Sequence, residues 1–210
     1  MSAERIADRL QADIIAGSYR PGTELKQGEI AVRFDVSRIP VRDALQLLAA
    51  RGLIDLVPNR RARVISLSVD EIREIYDLRI LLECDCLQQA IGKMDQDDLD
   101  TLSTALEHSS IDAKTARWAD GDWEFHKTLY QPAKKPRQLR MIEDLRRTCR
   151  IHIAGYGILP NRTSDWLQDH ADLVDACANR ASEKAVTILK HHIEAAGQTL
   201  TDALSDGILP

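Results

Sequence analysis

Four residues in the second half of the chain have the types and spacing of a metal site. Trp118, Asp122, Phe125, His126 and Leu129 follow 3,4 spacing, so Asp122 and His126 stack one turn apart on a helix face. Trp166, His170, Leu173, Val174 and Cys177 share a second face, with His170 among apolar neighbours. Ala185, Ile188, Leu189, His192 and Ala196 share a third, with His192 in the stripe. One carboxylate and three imidazoles therefore point at one core from three helices. A lone inward histidine is usually a satisfied core residue, and two can pair by hydrogen bonding. An Asp/His/His/His set is the donor set of a divalent transition metal. An ionised Asp in an apolar core is costly alone, which also favours a cation there. One oxygen and three nitrogens suit zinc first. Nickel, cobalt, iron and manganese are the alternatives, since affinity order alone does not choose.

Such a site has three readings. It holds an effector, it activates water as zinc on three histidines can, or its metal is purely structural or itself the signal. Hydrolysis also wants a nearby base. Glu124 lies about 200° from Asp122 around its helix, and Glu194 is equally off-face from His192. No other inward carboxylate or nucleophile presents itself, so the chain reads as a non-enzyme. Arg79 is a further oddity, lying on the stripe Ile75, Leu78, Arg79, Leu82 and Cys86. An arginine there needs an anion, either an internal carboxylate such as Glu83 or Asp85 or the carboxylate of a ligand held bidentately.

The elements that must position these residues are helical. Beyond Ser66-Leu67-Ser68, a short joint, the pattern holds no strand. Helices are predicted at about 70–91, 96–112, 115–131, 137–157, 164–179 and 181–204, separated by Gln131-Pro132, Lys135-Pro136, Gly155 to Asn161 and Asn179-Arg180. This predicts an antiparallel all-α bundle over 69–205.

The first 66 residues differ. Ile6, Leu10 and Ile14 mark one helix and Gln27 to Phe34 a second. Ser37 is placed to cap a third, with Pro40 in its first turn and Val41, Ala44, Leu45 and Leu48 inward. Gly52 stops it, and a two-stranded ribbon with a basic tip follows. Helix, helix-turn-helix and ribbon make a winged helix-turn-helix, so the fold class is mainly α with two domains, 1–66 and 69–205. Arg38 and Arg42 share the face opposite the apolar stripe and suit base edges and phosphates. With Arg33, Ser37, Pro40 and the wing residues Asn59, Arg60 and Arg61, they form the expected DNA contacts.

Charge agrees with this division. The net charge is −5, but residues 1–65 hold 11 Lys and Arg against 8 Asp and Glu, a net of +3, leaving −8 for the remainder. A basic head on an acidic body fits a head that meets DNA and a body that stays off it. No apolar run reaches transmembrane length and no leader opens the chain, so a cytoplasmic protein without a membrane partner is expected. Cys84, Cys86, Cys149 and Cys177 make no C-x-x-C set and read as buried thiols.

These residues carry a resemblance over nearly the whole chain. Val36-Ser37-Arg38-Ile39-Pro40-Val41-Arg42-Asp43-Ala44-Leu45, Arg51-Gly52-Leu53 and Pro58-Asn59-Arg60-Arg61-Ala62-Arg63-Val64 resemble the winged head of GntR family transcription regulators. Asp122-Trp123-Glu124-Phe125-His126, His170 and His192 resemble the metal motif of the FadR-like subfamily, whose second half is an FCD ligand-binding domain. Tyr76 to Glu83 resembles its opening helix. The resemblance implies a homodimer on a palindromic operator. It also implies repression relieved by a small organic acid seated against the bundle metal. The chain departs from the family pattern at Gly28, Arg61, Lys134-Lys135-Pro136 and Asn179-Arg180.

Overall fold

The computed structural model describes residues 1–57, 61–113, 115, 117–155 and 163–205. It contains α1 (Ala3–Ile15), α2 (Gln27–Phe34), α3 (Arg38–Ala50), β1 (Ile54–Val57), β2 (Arg61–Val64), α4 (Val69–Ile91), α5 (Gln96–Asp112), α6 (Trp118–Tyr130), α7 (Pro136–Gly155), α8 (Thr163–Ala178) and α9 (Ser182–Ser205). The described residues divide into two compact units. One holds Met1–Ser68 with the turns of α7 from Arg147 onward, and the other holds Val69–Arg146 with α8 and α9. Among the described residues no helix is long and apolar enough to cross a membrane.

In the first unit α1 buries Ile6, Leu10 and Ile14 against Val41, Ala44, Leu45 and Leu48 of α3. Each fully buried Leu or Ile contributes about 1.5–3 kcal/mol. Asp35, in the left-handed region at φ 50°, turns α2 into α3. Ser37 occupies the N-cap with extended backbone, but its side chain makes no capping bond, contrary to the expected role. After Arg51, Gly52 at φ +68° reverses the chain, a conformation that costs a side-chain-bearing residue more. β1 and β2 pair antiparallel with Ile54 opposite Val64 and Val57 opposite Arg61. The segment between α1 and α2 adds to this ribbon: Leu25 N–H donates to the Ala62 carbonyl (2.7 Å) and Val64 N–H to that of Thr23 (3.0 Å). Ile151 of α7 joins the same core. Arg147 donates to the Arg51 carbonyl (3.1 Å), and Leu67 N–H donates to Nε2 of buried His152 (3.0 Å). The tip residues Asn59 and Arg60, and the predicted turn over 156–161, lie outside the described residues.

The second unit is all helix. α5 opens on a capping box in which Asp95 and Asp98 each accept the other's backbone N–H. α4 turns Ile72, Tyr76, Arg79, Glu83, Cys86, Leu87 and Ala90 inward. This corrects the stripe read from sequence. Of that stripe Arg79 and Cys86 are buried and Ile75 and Leu82 half-buried, but Leu78 is 41% exposed and Glu83 is buried instead. Arg79 and Glu83 are four apart and pair with each other, so the polar couple takes the inward face. Cys86, Cys149 and Cys177 are buried as expected, but Cys84 is half-buried. Burial pushes the Cys84 and Cys86 thiols up to about 11 and Cys177 to about 12, so they stay protonated.

Gly197 of α9 packs against Tyr76 of α4. A Cβ there would lie 2.8 Å from Cγ of Tyr76, a buried ring that cannot swing away. Gly197→Ala is therefore expected to destabilise the protein by about 1–3 kcal/mol, as overpacking does. Gly92→Ala, which meets nothing within 4 Å, serves as the control and leaves the melting temperature within a degree or so. Paired thermal melts check the contrast.

Candidate functional site

Helix periodicity delivers the four metal candidates to one place. One ligand atom from each of Asp122, His126, His170 and His192 lies within 4.8 Å of the others. α6 supplies the first two, α8 His170 and α9 His192. The three histidines are buried and Asp122 is half-buried. Nε2 of His126 and Nε2 of His170 each stand 3.6 Å from Asp122 Oδ1. Both of these nitrogens, and His170 Nδ1, are buried without a hydrogen-bond partner. Orphaned imidazole nitrogens facing a carboxylate oxygen fit a bound cation, because unpaired buried polar atoms are otherwise costly.

A second layer sets how the imidazoles face. Tyr130 Oη donates to Glu83 Oε2 (2.7 Å), so its oxygen is left to accept from His126 Nδ1 (3.1 Å). His126 therefore carries its proton on Nδ1 and turns the Nε2 lone pair to the cluster. His192 does the same with Asp169, whose carboxylate accepts from Nδ1 at 3.1 Å. Carboxylates placed behind ligating histidines in this way fix tautomer and ring orientation. His170 is held by stacking instead, its ring 4.2 Å from that of Phe125 and 22° off parallel.

Arg146 of α7 completes the site and is not among the residues that periodicity singles out. Its guanidinium donates to Glu83 Oε2 and to Asp122 Oδ2, both at 2.6 Å. Asp122 is thereby split, with Oδ2 tied to Arg146 and Oδ1 turned to the histidines. Arg79 Nε donates to Glu83 Oε1 (2.7 Å), and its guanidinium lies 4.8 Å over the Tyr76 ring. Glu83 is thus the internal carboxylate that Arg79 meets. Glu124, the base considered for hydrolysis, pairs with Lys127.

The electrostatics follow from this packing. Burial by itself would raise the Glu83 carboxyl, but Arg146, Arg79 and the Tyr130 hydrogen bond hold it below the usual carboxylate range. Asp122 is also held low, with burial outweighed by Arg146 and the neighbouring imidazoles. Burial first, then nearby Arg146, pushes His126 well below its ordinary value. Burial first, then His192, brings His170 to about 3. Asp122, ionised, and His126 and His170, neutral, are thus in the form that binds metal at neutral pH.

In the first unit Arg38, Arg42 and Arg61 line one cleft with Lys26 and Ile39. Pro40 sits in the first turn of α3, and the Ser37 side chain is exposed. Arg33 is placed differently. It pairs with Asp13 (2.7 Å) and donates to Tyr19 Oη (3.1 Å), so its guanidinium is already engaged. Gly28 lies beside this face, where a Cβ would meet Arg38 Nη2 at an ordinary 3.8 Å.

Comparison with known proteins bears on both regions. Residues 74–195 match the FCD domain family and residues 2–64 match the family of bacterial regulatory proteins, gntR family. The HTH-type transcriptional regulator BphR of Paraburkholderia xenovorans is 28% identical over 208 residues, spanning 91% of this chain and 82% of that protein. The HTH-type transcriptional repressor RspR of Escherichia coli is 28% identical over 189 residues, spanning 88% and 82%. A crystal structure of a GntR transcriptional regulator from Rhodococcus sp. RHA1 superposes with a TM-score of 0.74 at 26% identity, covering 96% of this chain and 98% of that one.

Two outcomes follow from the buried network. Arg146→Met strands Glu83 without one of its cations and is expected to cost about 3–5 kcal/mol in urea unfolding, since breaking a buried pair leaves an uncompensated charge. The second concerns pH in chelator-treated protein. The folded His170 value of about 3 lies below its ordinary 6.5, so the unfolded chain binds more protons in that window. Stability therefore falls as pH drops from 6.5 toward 3, with Glu83 and Asp122 adding to the loss at the acid end, and melts from pH 7.5 to 5 should decline steadily.

Proposed function

This chain belongs to the GntR family of transcription regulators with an FCD domain, and from that premise we propose a metal-dependent, effector-responsive repressor that binds a palindromic operator as a homodimer. The observation that carries the reading is the convergence of Asp122, His126, His170 and His192, with His126 and His192 oriented by Tyr130 and Asp169. A divalent transition metal, zinc in the first instance, would be held by those four residues and would supply a Lewis-acidic centre for a ligand oxygen. Charge balance supports an anionic effector. Arg79 and Arg146 already offset Glu83 and Asp122, so a divalent ion adds two positive charges that a small organic acid compensates. Arg79 is the protein group we assign to that acid's carboxylate, exchanging the Glu83 oxygen it holds at 2.7 Å while Arg146 and Tyr130 continue to hold Glu83.

At the DNA end, Arg38 and Arg42 project from the first turns of the recognition helix. A bidentate arginine–guanine pair is worth about 1–3 kcal/mol of discrimination. Ser37, Pro40 and Arg61 lie on or beside the same face, with Ser37 and Arg61 offered to phosphates and Pro40 to close backbone approach. Asn59 and Arg60, which lie outside the described residues, are assigned to DNA contact from the sequence alone. Arg33, engaged by Asp13 and Tyr19, is assigned a supporting position. An effector acts as a switch only by favouring one arrangement of the heads over another.

Separate variants test the two ends in the same preparation. His170→Ala should lose the rise in melting temperature produced by Zn²⁺ while retaining affinity for a selected operator. Arg42→Ala should retain the Zn²⁺ response while losing at least tenfold in operator affinity by gel shift. If neither wild-type response is seen, the proposal fails. If Zn²⁺ alone changes operator affinity and no organic acid adds to it, the protein is a metal sensor instead.

A further inference from the structure

The exposed face of α3 is not uniformly polar. Its inward residues are Val41, Ala44, Leu45 and Leu48, and its outward residues are Arg38, Ile39, Arg42 and Gln46. Ile39 is 66% exposed, in the first turn, and no described residue of its unit covers it. Single exposed apolar residues are ordinary on a protein surface. This one stands in a cleft otherwise lined by Lys26, Arg38, Arg42 and Arg61, together with Glu24, Leu25 and Gln27. Arg38 and Arg61 make no ion pair among the described residues, so their charge is available to a polyanion.

We propose that Ile39 reads the C5-methyl group of a thymine in the operator's major groove. The inference rests on the DNA-binding reading above and adds the base that this position selects. The cations around Ile39 fit phosphates, which identifies a duplex as the occupant of the cleft. Within a major groove the thymine methyl is the one apolar group that a base edge offers. Isoleucine has neither donor nor acceptor, so against guanine, cytosine or adenine it would cover polar atoms without replacing their hydrogen bonds to water. Its branched Cβ restricts χ1, and Pro40 stiffens the turn that carries it. The methyl surface is therefore presented in a narrow range of directions and loses little freedom on contact. Arg38 and Arg42 flank it one residue before and three after, which places the thymine within a step or two of the bases or phosphates that those arginines engage.

In vitro selection from a random duplex pool, run in parallel with full-length wild-type protein and Ile39→Ala, tests this. Ile39 does not pack in the core, so the variant keeps the fold, and an unchanged melting temperature verifies it. The expected result is a wild-type consensus containing a thymine whose preference is lost in Ile39→Ala while the other positions persist. Replacing that thymine by deoxyuridine, which removes only the methyl group, should weaken wild-type binding about three- to tenfold and leave Ile39→Ala unchanged. If both proteins select the same sequence, or if deoxyuridine binds wild type as well as thymine does, Ile39 does not read the base although DNA binding stands. If wild type selects no sequence at all, the DNA-binding reading itself falls.

Discussion

A carboxylate with no exposed surface stays ionised only if cations and donors are held against it, and Glu83 meets that condition with three hydrogen bonds. Arg79 comes from one turn earlier on its own helix, Arg146 from α7 and Tyr130 from the end of α6. Removing the charge of Glu83 would leave two buried arginines short of an anion. The register of α4, α6 and α7 in the second unit is thus tied to a single side chain. Apolar packing could tolerate a small slide among these helices. Bonds of 2.6–2.7 Å between charged groups tolerate much less.

The candidate metal ligands inherit their order from that constraint. Tyr130 spends its proton on Glu83 and so must accept from His126. Arg146, fixed by Glu83, takes one oxygen of Asp122 and leaves the other facing the imidazoles. Two of the four donors are therefore oriented through one buried glutamate that does not itself face the cluster. His192 has an independent support in Asp169, and His170 rests on the Phe125 ring. The desolvation that depresses His126 and His170 keeps those two neutral, which is the state a cation requires.

Much of this was legible in the sequence, for physical reasons that differ between residues. The Asp/His quartet could be found because each member sits in an apolar stripe of fixed period, and a period places a side chain without knowledge of its partners. The winged head could be found because turn residues such as Gly52 act locally. Arg146 could not. Its neighbours Arg137, Arg140, Arg147 and Arg150 make α7 rich in arginine, and its partners lie 24 and 63 residues away. Tyr130, four residues after His126, was the available hint to the second layer. On α4 the run Leu78 to Leu82 fits more than one face, and the Arg79–Glu83 pair decided among them. The Ser37 hydroxyl escaped because cap position and capping bond are separate facts.

The division of α3 into two faces has a consequence for how such a protein diversifies. Val41, Ala44, Leu45 and Leu48 are answerable to the head's core, whereas Arg38, Ile39, Arg42 and Gln46 are answerable to nothing in it. Substitutions on the outer set would leave folding stability nearly untouched, so on the DNA-binding reading proposed above they are free to change the target. A duplicated copy can therefore drift to a new target without passing through an unstable ancestor. The inner set has no such freedom, and the helix carries both a fixed inheritance and a rewritable address.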